Sequence, residues 1–182
     1  MAFTKDEWEA GVDWPRYLAG VMEHASLWRH HFESAEVDGI SRRRLGALPG
    51  PRKVLVLTED WCGDAARSVP VIARALVGTP GVEVRFIDIA GHPELIDRHL
   101  TKGGRAIPVA IVADGEGREI GWWGPRPAPL QTLLRARILE LGSPREEDRG
   151  AFYAPLMAWY HRDRGRTTLS ELLLLLERSG TL

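Results

Sequence analysis

The sequence has a single cysteine, Cys62, among its 182 residues. One thiol excludes an intramolecular disulfide, and the lack of a disulfide framework favours a reducing compartment over an oxidising one. The first seven residues also lack the apolar core of a secretory signal peptide. We therefore expect a cytoplasmic protein.

The sequence also lacks an excess of charge and a long apolar run. Its formal net charge of −1 gives no general attraction to nucleic acid or to an anionic membrane. The longest purely aliphatic run, residues 172–176, is far shorter than the roughly 20 residues that a membrane-spanning helix needs. The three arginines at 42–44 have no interleaved aromatic residues and are typical of a solvated helix face. We expect neither a nucleic acid nor a membrane as a partner.

No histidine spacing typical of a metal site is present either. His24, His30 and His31 lie on one predicted helix, but none of them pairs at i,i+4 with another histidine or a carboxylate in a recognisable metal motif. We expect no metal and no bound cofactor, and we interpret these histidines as surface or half-buried side chains.

The stretch 53–77 predicts a strand, an acidic turn that holds the cysteine, and a helix. Residues 54–57 are apolar and rich in β-branched side chains, in a run too short for a helix. Residues 59–63 form the turn, and Gly63 allows the backbone to tighten there. From Asp64 onward, apolar residues recur every three or four positions, as a half-buried helix requires, until Gly78 ends the pattern.

This arrangement places Cys62 at the start of a helix. Unpaired backbone N–H groups and the positive end of the helix dipole favour the thiolate, which is the nucleophile in disulfide exchange. Asp64 opposes ionisation if its carboxylate approaches the sulfur, because a like charge raises a thiol pKa. Alternatively, Asp64 only stabilises the helix through the dipole. We expect an accessible Cys62 with a lowered pKa, modulated by Asp60 and Asp64.

The residues around Cys62 carry a resemblance to a known family. Trp61-Cys62-Gly63 after a buried strand resembles the active-site turn of the thioredoxin family. Pro70, eight residues after the cysteine, is similar in position to the kinking proline of that family's active-site helix. The longer string TEDWCGDA, residues 58–65, resembles a bacterial thioredoxin-like subgroup with an acidic turn.

A second segment adds to this resemblance. Residues 106–109, Ala-Ile-Pro-Val, open another apolar strand and resemble the cis-proline segment that faces the family's cysteine. The resemblance covers about residues 53–141. It implies a thioredoxin-like fold, a cis Ile107–Pro108 bond beside the thiol, and substrate contacts by Trp61, Gly63, Ile107 and Pro108.

Two departures from the family pattern decide the mechanism that we expect. Ala65 stands where the family has its second cysteine, and Val56 stands where it has a buried carboxylate that assists proton transfer. The dithiol mechanism is therefore not open to one chain. Cys62 would exchange with a protein or small-molecule disulfide, and an external low-molecular-weight thiol would resolve the adduct. The alternative is a redox-inactive binding or regulatory module, or an oxidation sensor, that keeps the fold without turnover.

The remaining patterns predict an α/β fold with a central mixed sheet flanked by helices. Strands are expected at 82–89, 109–113 and 118–123, and the strand–helix–strand unit requires a parallel first pair. We divide one domain, 1–182, into an N-terminal helical extension, a thioredoxin-like core and C-terminal helices packed on the core, with these ranges: 1–50, 51–142 and 143–182.

Helix-start patterns predict the ends of these extensions. Thr4 with Glu7, and Thr168 with Glu171, have the spacing of capping boxes, and Gly180 is a predicted helix stop. One long helix is expected from Asp13 to beyond Phe32, and another over 130–141 with Leu130, Leu133, Leu134, Ile138 and Leu141 inward. The leucines of 169–176 form a broad stripe, which predicts packing on the same domain; a homodimer interface is the alternative to a monomer.

Overall fold

The computed structural model describes residues 1–179, and within them the chain forms one mixed sheet. Its strands are β1 (Arg52–Thr58), β2 (Val82–Asp88), β3 (Val109–Asp114) and β4 (Glu119–Trp123). The spatial order is β2-β1-β3-β4. β1 pairs parallel with β2 and antiparallel with β3, and β3 pairs antiparallel with β4. The predicted mixed sheet is confirmed.

Helices flank this sheet, as predicted. Their bounds are α1 Lys5–Ala10, α2 Trp14–Gly20, α3 Ala25–Ser34, α4 Gly39–Gly46, α5 Ala65–Leu76, α6 Pro93–Asp97, α7 Ala128–Leu141, α8 Arg149–Asp163 and α9 Arg166–Leu176. Helix α5 is buried along almost its whole length, including Pro70. It packs between the sheet and α3 and α9, so the residues at its N-terminus are held from several sides.

The N-terminal extension confirms one prediction and corrects another. Thr4 and Glu7 form the predicted capping box at the start of α1. The expected long helix from Asp13 is instead two helices, α2 and α3, separated at residues 21–24. The Asp60 carboxylate accepts hydrogen bonds from the backbone N–H groups of Met22 and Glu23 at 2.9 and 3.0 Å. Because a carboxylate from the turn after β1 satisfies these amides, the helix is interrupted there.

The C-terminal helix departs from the predicted capping box. Helix α9 begins at Arg166, so Thr168 lies inside it and is buried. The Glu171 carboxylate accepts from the Trp123 indole N–H at 2.8 Å and from the Ala128 backbone N–H at 2.9 Å. Long-range partners thus replace the local cap. The predicted stop at Gly180 lies outside the described residues.

The leucine stripe of α9 packs within the chain, as the first of the two alternatives predicted. Leu169, Leu172, Leu173, Leu175 and Leu176 belong to the main core, and Leu174 is exposed. The buried Arg52 fixes the other end of α9, because its guanidinium donates to the carbonyl oxygens of Leu176 and Arg178 at 2.8 and 3.0 Å. A cation at a helix C-terminus satisfies carbonyl groups that have no partner within the helix.

Helices α7 and α8 form a second, smaller apolar cluster. Leu130 and Leu134 pack there against Phe152, Leu156 and Tyr160. The prediction that Ile138 and Leu141 face inward is wrong, because 40% and 58% of their surfaces are exposed. The first turns of α7 pack on α8. On the same helix α8, Tyr160 reaches Asp64, next to the cysteine-containing turn.

Candidate functional site

The site is built on the turn that links β1 to α5. The Cys62 backbone N–H donates to the Glu59 carbonyl at 3.2 Å, and the Ala66 N–H donates to the Cys62 carbonyl at 2.9 Å. Cys62 therefore stands one turn before the first residues of α5, at the N-terminal end of the helix. The backbone N–H groups of Asp64 and Ala65 are directed to the sulfur and favour the thiolate.

The structure corrects the expectation of an accessible thiol with a lowered pKa. Cys62 is only 9% exposed. Its Sγ donates to the Ile107 carbonyl oxygen at 3.5 Å, within the range for a sulfur donor. Burial raises the pKa of the Cys62 thiol, and the charge of Asp64 raises it further. The backbone N–H groups and Arg126 act in the opposite direction without reversing the shift.

This environment predicts slow alkylation of Cys62 at neutral pH. A plot of the iodoacetamide rate against pH should have its midpoint above the ~8.5 of a free thiol, because burial disfavours the charged thiolate. The same plot for protein unfolded in urea, in which the thiol is exposed, serves as the control and should return to that value. A folded-state midpoint below the unfolded one would contradict the assignment.

Ile107 and Pro108 lie directly against the thiol. Both are buried, and the peptide bond between them is cis. Gly124 packs onto this segment, since a β-carbon at Gly124 would overlap the Pro108 carbonyl oxygen, and its φ of 128° is one that other residues rarely adopt. The loop after β4 thus supports the segment before β3, and it carries Arg126 into the site.

Asp64 holds the site together through two long-range contacts. Its Oδ2 lies 2.6 Å from Arg126 Nη2, and its Oδ1 accepts from the Tyr160 hydroxyl at 2.8 Å. Its carboxylate makes no hydrogen bond to the first backbone N–H groups of α5 within residues 1–179. The charge of Asp64 raises the Cys62 pKa, as the first of the two roles considered for it predicts, and its stabilisation of the helix through the dipole stays a prediction.

Two arginines and one carboxylate surround the thiol. Arg67 donates to the Gly63 carbonyl oxygen at 2.7 Å and lies 5.9 Å from the centre of the Tyr160 ring. Arg67 and Arg126 carry two positive charges against the single negative charge of Asp64. Ionisation of Cys62 would bring the net charge of these four side chains to zero. The excess positive charge of the two arginines therefore stabilises the thiolate and opposes the free-energy cost of its burial.

Tyr160 closes the group from α8. Burial raises its pKa well above the usual range, and the negative charge of Asp64 adds to the shift. The phenol therefore stays protonated and donates a hydrogen bond to Asp64 at all physiological pH values. It positions the carboxylate and adds no second negative charge beside it.

The other predicted site residues have more varied positions. Trp61 is 58% exposed, so its ring is available for contact with a partner molecule. Gly63 is half-buried and contributes its carbonyl oxygen to Arg67. Burial acts to raise the pKa of Asp60, but hydrogen bonds from the Glu23 and Met22 backbone lower it below its ordinary value. Asp60 thus anchors the 21–24 segment, and a direct effect on Cys62 stays a prediction.

Sequence reasoning missed three of these residues: Arg67, Arg126 and Tyr160. Arg126 lies between the strand predicted at 118–123 and the helix predicted at 130–141, in a segment with no recognisable motif. Tyr160 lies 96 residues from Asp64 in the chain, and no local pattern connects the two. The one available signal was Arg67, which falls one helical turn after Gly63 and so lies on the same face of the helix start.

The described residues were also compared with the arrangements that metal sites and membrane-spanning helices require. Within residues 1–179, no group of three or more histidine, cysteine, aspartate or glutamate side chains is arranged to hold a metal ion. His30 and His31 pack edge to face on α3 with ring centres 5.4 Å apart. None of the helices in the described part of the chain is both long and apolar enough to cross a bilayer.

A comparison with protein families agrees with this geometry. Residues 11–139, well over half of the chain, match the family model described as Thioredoxin. The chain belongs to this thioredoxin family. The match begins within the N-terminal extension and ends in α7, and it includes the Cys62 turn, Ile107–Pro108 and Arg126. A comparison with curated proteins gave no match.

Two solved structures share the fold over nearly the whole chain. The crystal structure of an HIV epitope scaffold is 17% identical with a TM-score of 0.71, and the alignment covers 94% of this chain and 96% of that one. A protein of unknown function from Pseudomonas aeruginosa is 21% identical with a TM-score of 0.70, covering 97% and 98%. At this level of identity the likeness extends to the fold alone.

Proposed function

We propose that this thioredoxin-family protein carries out thiol–disulfide exchange through a single thiol, Cys62. The observation that carries the proposal is the position of Cys62 Sγ, at the start of α5 and 3.5 Å from the Ile107 carbonyl oxygen. Arg67 and Arg126 supply the counter-charge for a thiolate there. The resemblance of TEDWCGDA to a bacterial subgroup, and a reducing cytoplasmic setting for the lone thiol, agree with this role.

The reaction requires two partner molecules because the chain has no second thiol. The Cys62 thiolate attacks one sulfur of a disulfide, a new S–S bond forms to Cys62, and the other sulfur leaves as a thiolate that takes up a proton. A low-molecular-weight thiolate then attacks the substrate-derived sulfur of this mixed disulfide, so that the Cys62 thiolate leaves and the bound half departs in a new disulfide with the small thiol. Ala65 cannot perform this second step.

The surroundings of Cys62 indicate where the disulfide would dock. Trp61 offers an exposed ring on one side, and the backbone of residues 106–108 lies on the other, where an extended peptide can pair as a strand does. Gly63 has no side chain, and a β-carbon there would lie 3.3 Å from Arg67 Nη1. Entry to Sγ requires a displacement around the turn, since only 9% of Cys62 is exposed.

The same burial favours a second candidate function, a binding or regulatory module without turnover. A buried thiol with a raised pKa behaves as a small apolar side chain. In that case Trp61 and the 106–108 segment would serve as a docking surface, and loss of the thiol would leave partner binding intact.

One experiment separates the two candidates. Protein isolated under acid quench is measured by intact mass, and the purified protein is then assayed for reduction of a mixed disulfide with added glutathione. Exchange predicts a small-thiol adduct on wild-type protein and glutathione-dependent turnover, both absent in Cys62→Ser and Cys62→Ala. A wild-type protein with neither adduct nor turnover, at full folded content, would exclude the exchange function and leave the binding module.

A further inference from the structure

A cavity of about 280 Å³ lies at the carboxyl ends of the two parallel strands. Glu59 and Asp60 follow β1, Asp88 is the last residue of β2, and all three line this space. Apolar walls come from Val12, Val21 and the ring of Tyr17. This space is referred to as the acidic cavity. Glu59 and Asp60 belong to the same turn as Cys62, but Cys62 does not line the acidic cavity.

The acidic cavity has an uncompensated negative charge. Three carboxylates face one cation, Arg16, and none of the ion pairs among residues 1–179 includes any of these four side chains. Asp60 uses one oxygen for two backbone N–H groups, and Glu59 uses one oxygen for the Ala90 N–H at 3.0 Å. Burial raises the pKa of Asp88, and the charges of Glu59 and Asp60 raise it further. A bound cation would relieve this repulsion.

A buried hydroxyl adds an independent sign of a missing partner. Tyr17 lines the acidic cavity and is only 7% exposed, and its hydroxyl forms no bond of hydrogen-bond geometry within residues 1–179; the neighbouring Thr58 hydroxyl, also buried, forms none there either. Burial raises the pKa of Tyr17, the Thr58 hydroxyl acts to lower it, and the negative charges of Asp88, Asp60 and Glu59 add to the rise, so the phenol oxygen lies near Thr58 and these carboxylates. A buried polar group without a partner is costly, so the hydroxyl is available to a ligand.

The shape of the acidic cavity selects the kind of cation. Its carboxylates are not grouped closely enough, within the described residues, to hold a metal ion. An ammonium group presents three N–H donors that can reach separate acceptors, and the Tyr17 oxygen can accept one of them. An alkyl stem fits the two valines, and an aromatic face attracts a cation. We propose that the acidic cavity binds a primary alkylammonium group.

The test follows backbone amides that report on the acidic cavity. The N–H groups of Met22, Glu23 and Ala90 are bonded to Asp60 and Glu59, so their ¹H–¹⁵N resonances respond directly to a bound cation. Butylammonium chloride should shift these resonances saturably, while 1-butanol, of the same shape without charge, should not. Blocked lysine, N-acetyl-lysine methylamide, is titrated in parallel. Tighter binding of blocked lysine indicates a protein partner, and tighter binding of butylammonium indicates a small amine.

Two variants with a matched control assign the binding to named side chains. Asp88→Asn should weaken butylammonium binding by about fivefold or more, from the loss of one unit charge near the ligand. Tyr17→Phe keeps the ring and removes the hydroxyl acceptor, and it should weaken binding by a smaller factor. Glu83→Gln removes an exposed charge from the same strand outside the cavity and should leave binding unchanged.

Three results would overturn the proposal. The first is an equal response to 1-butanol and butylammonium. The second is an equal effect of Asp88→Asn and Glu83→Gln at comparable folded content. The third is saturable binding of Mg²⁺, reported by the same amide resonances, that butylammonium does not displace. The acidic cavity would then be a divalent-ion site.

Discussion

Replacement of Arg126 by methionine should lower the free energy of unfolding by about 2–3 kcal/mol. Removal of one partner from a fully buried ion pair costs roughly 3–5 kcal/mol, because the other charge stays buried without compensation. The Arg126 and Asp64 side chains are 18% and 13% exposed, so water compensates part of this loss. Urea unfolding, with equal slopes for variant and wild type, measures the change.

The same variant should also make Cys62 less reactive. The positive charge of Arg126 lowers the Cys62 pKa, whereas Asp64 raises it, so removal of the arginine leaves the unfavourable charge alone. The midpoint of the alkylation profile should move to higher pH in Arg126→Met. A change in stability without this movement would mean that Arg126 supports the fold but not the thiolate.

The chain offers a matched control on its surface. Arg105 and Asp97 form another arginine–carboxylate pair, here with two hydrogen bonds of 2.7 and 2.6 Å, but their side chains are 55% and 48% exposed. Arg105→Met should cost less than about 1 kcal/mol, because exposed ion pairs contribute little. Equal losses in Arg126→Met and Arg105→Met would contradict the importance assigned to the Asp64 network. The double variant Arg126→Met, Asp64→Asn should recover part of the stability, since it also removes the unpaired charge.

Those parts of the fold that depend on local periodicity could be predicted from the sequence. β1 and β3 are apolar runs buried on both faces, and the spacing of apolar residues along α5 is the spacing of the face that it buries. Alternation and the strand–helix–strand order also fix the parallel pair. The mixed α/β sheet could therefore be predicted from these patterns, and the resemblance of the Cys62 turn and of residues 106–109 to the thioredoxin family implied the type of fold.

Features that depend on contacts between residues far apart in the chain could not be predicted from the sequence. The break at residues 21–24 exists because Asp60, 38 residues away from Met22, accepts the amide hydrogen bonds there. Glu171 had the spacing of a capping residue, but the Trp123 indole N–H is a better-placed donor in the folded chain. A local pattern states which bonds are possible, and the tertiary structure decides which one forms.

The candidate site likewise has some features that follow from neighbouring residues and others that depend on distant contacts. The position of Cys62 at a helix start followed from neighbouring residues, whereas the contact of its Sγ with Ile107 and the contacts of Asp64 with Arg126 and Tyr160 join segments far apart in the chain. Helix-start effects predicted a lowered pKa. Burial of the sulfur in the folded chain reverses this direction, because desolvation outweighs the backbone N–H groups.

Substitution of Ala65 by cysteine should give the protein a dithiol activity that the wild type lacks. Ala65 is the first residue of α5 and stands three positions after Cys62, and residues at this spacing share a helix face. A Cα separation of about 5.5 Å suits a disulfide. Under mild oxidation, Ala65→Cys should lose two hydrogen masses, and it should reduce insulin with catalytic dithiothreitol. Wild-type protein should not, because a mixed disulfide on Cys62 cannot be released internally.

Two controls separate pairing of the thiols from other effects. Ala65 is fully buried, and added volume in a packed core costs roughly 1–3 kcal/mol, so Ala65→Ser reports the packing cost without a thiol. Ala75→Cys adds a buried second thiol at the far end of α5, where it cannot reach Cys62, and should give neither a disulfide nor activity.

Activity in Ala65→Cys should stay below that of a dithiol enzyme with a proton-transfer carboxylate, since Val56 offers none. If Ala65→Cys folds but no disulfide closes, the turn does not present residues 62 and 65 to each other. Efficient insulin reduction by the wild type without a small thiol would refute the single-thiol mechanism.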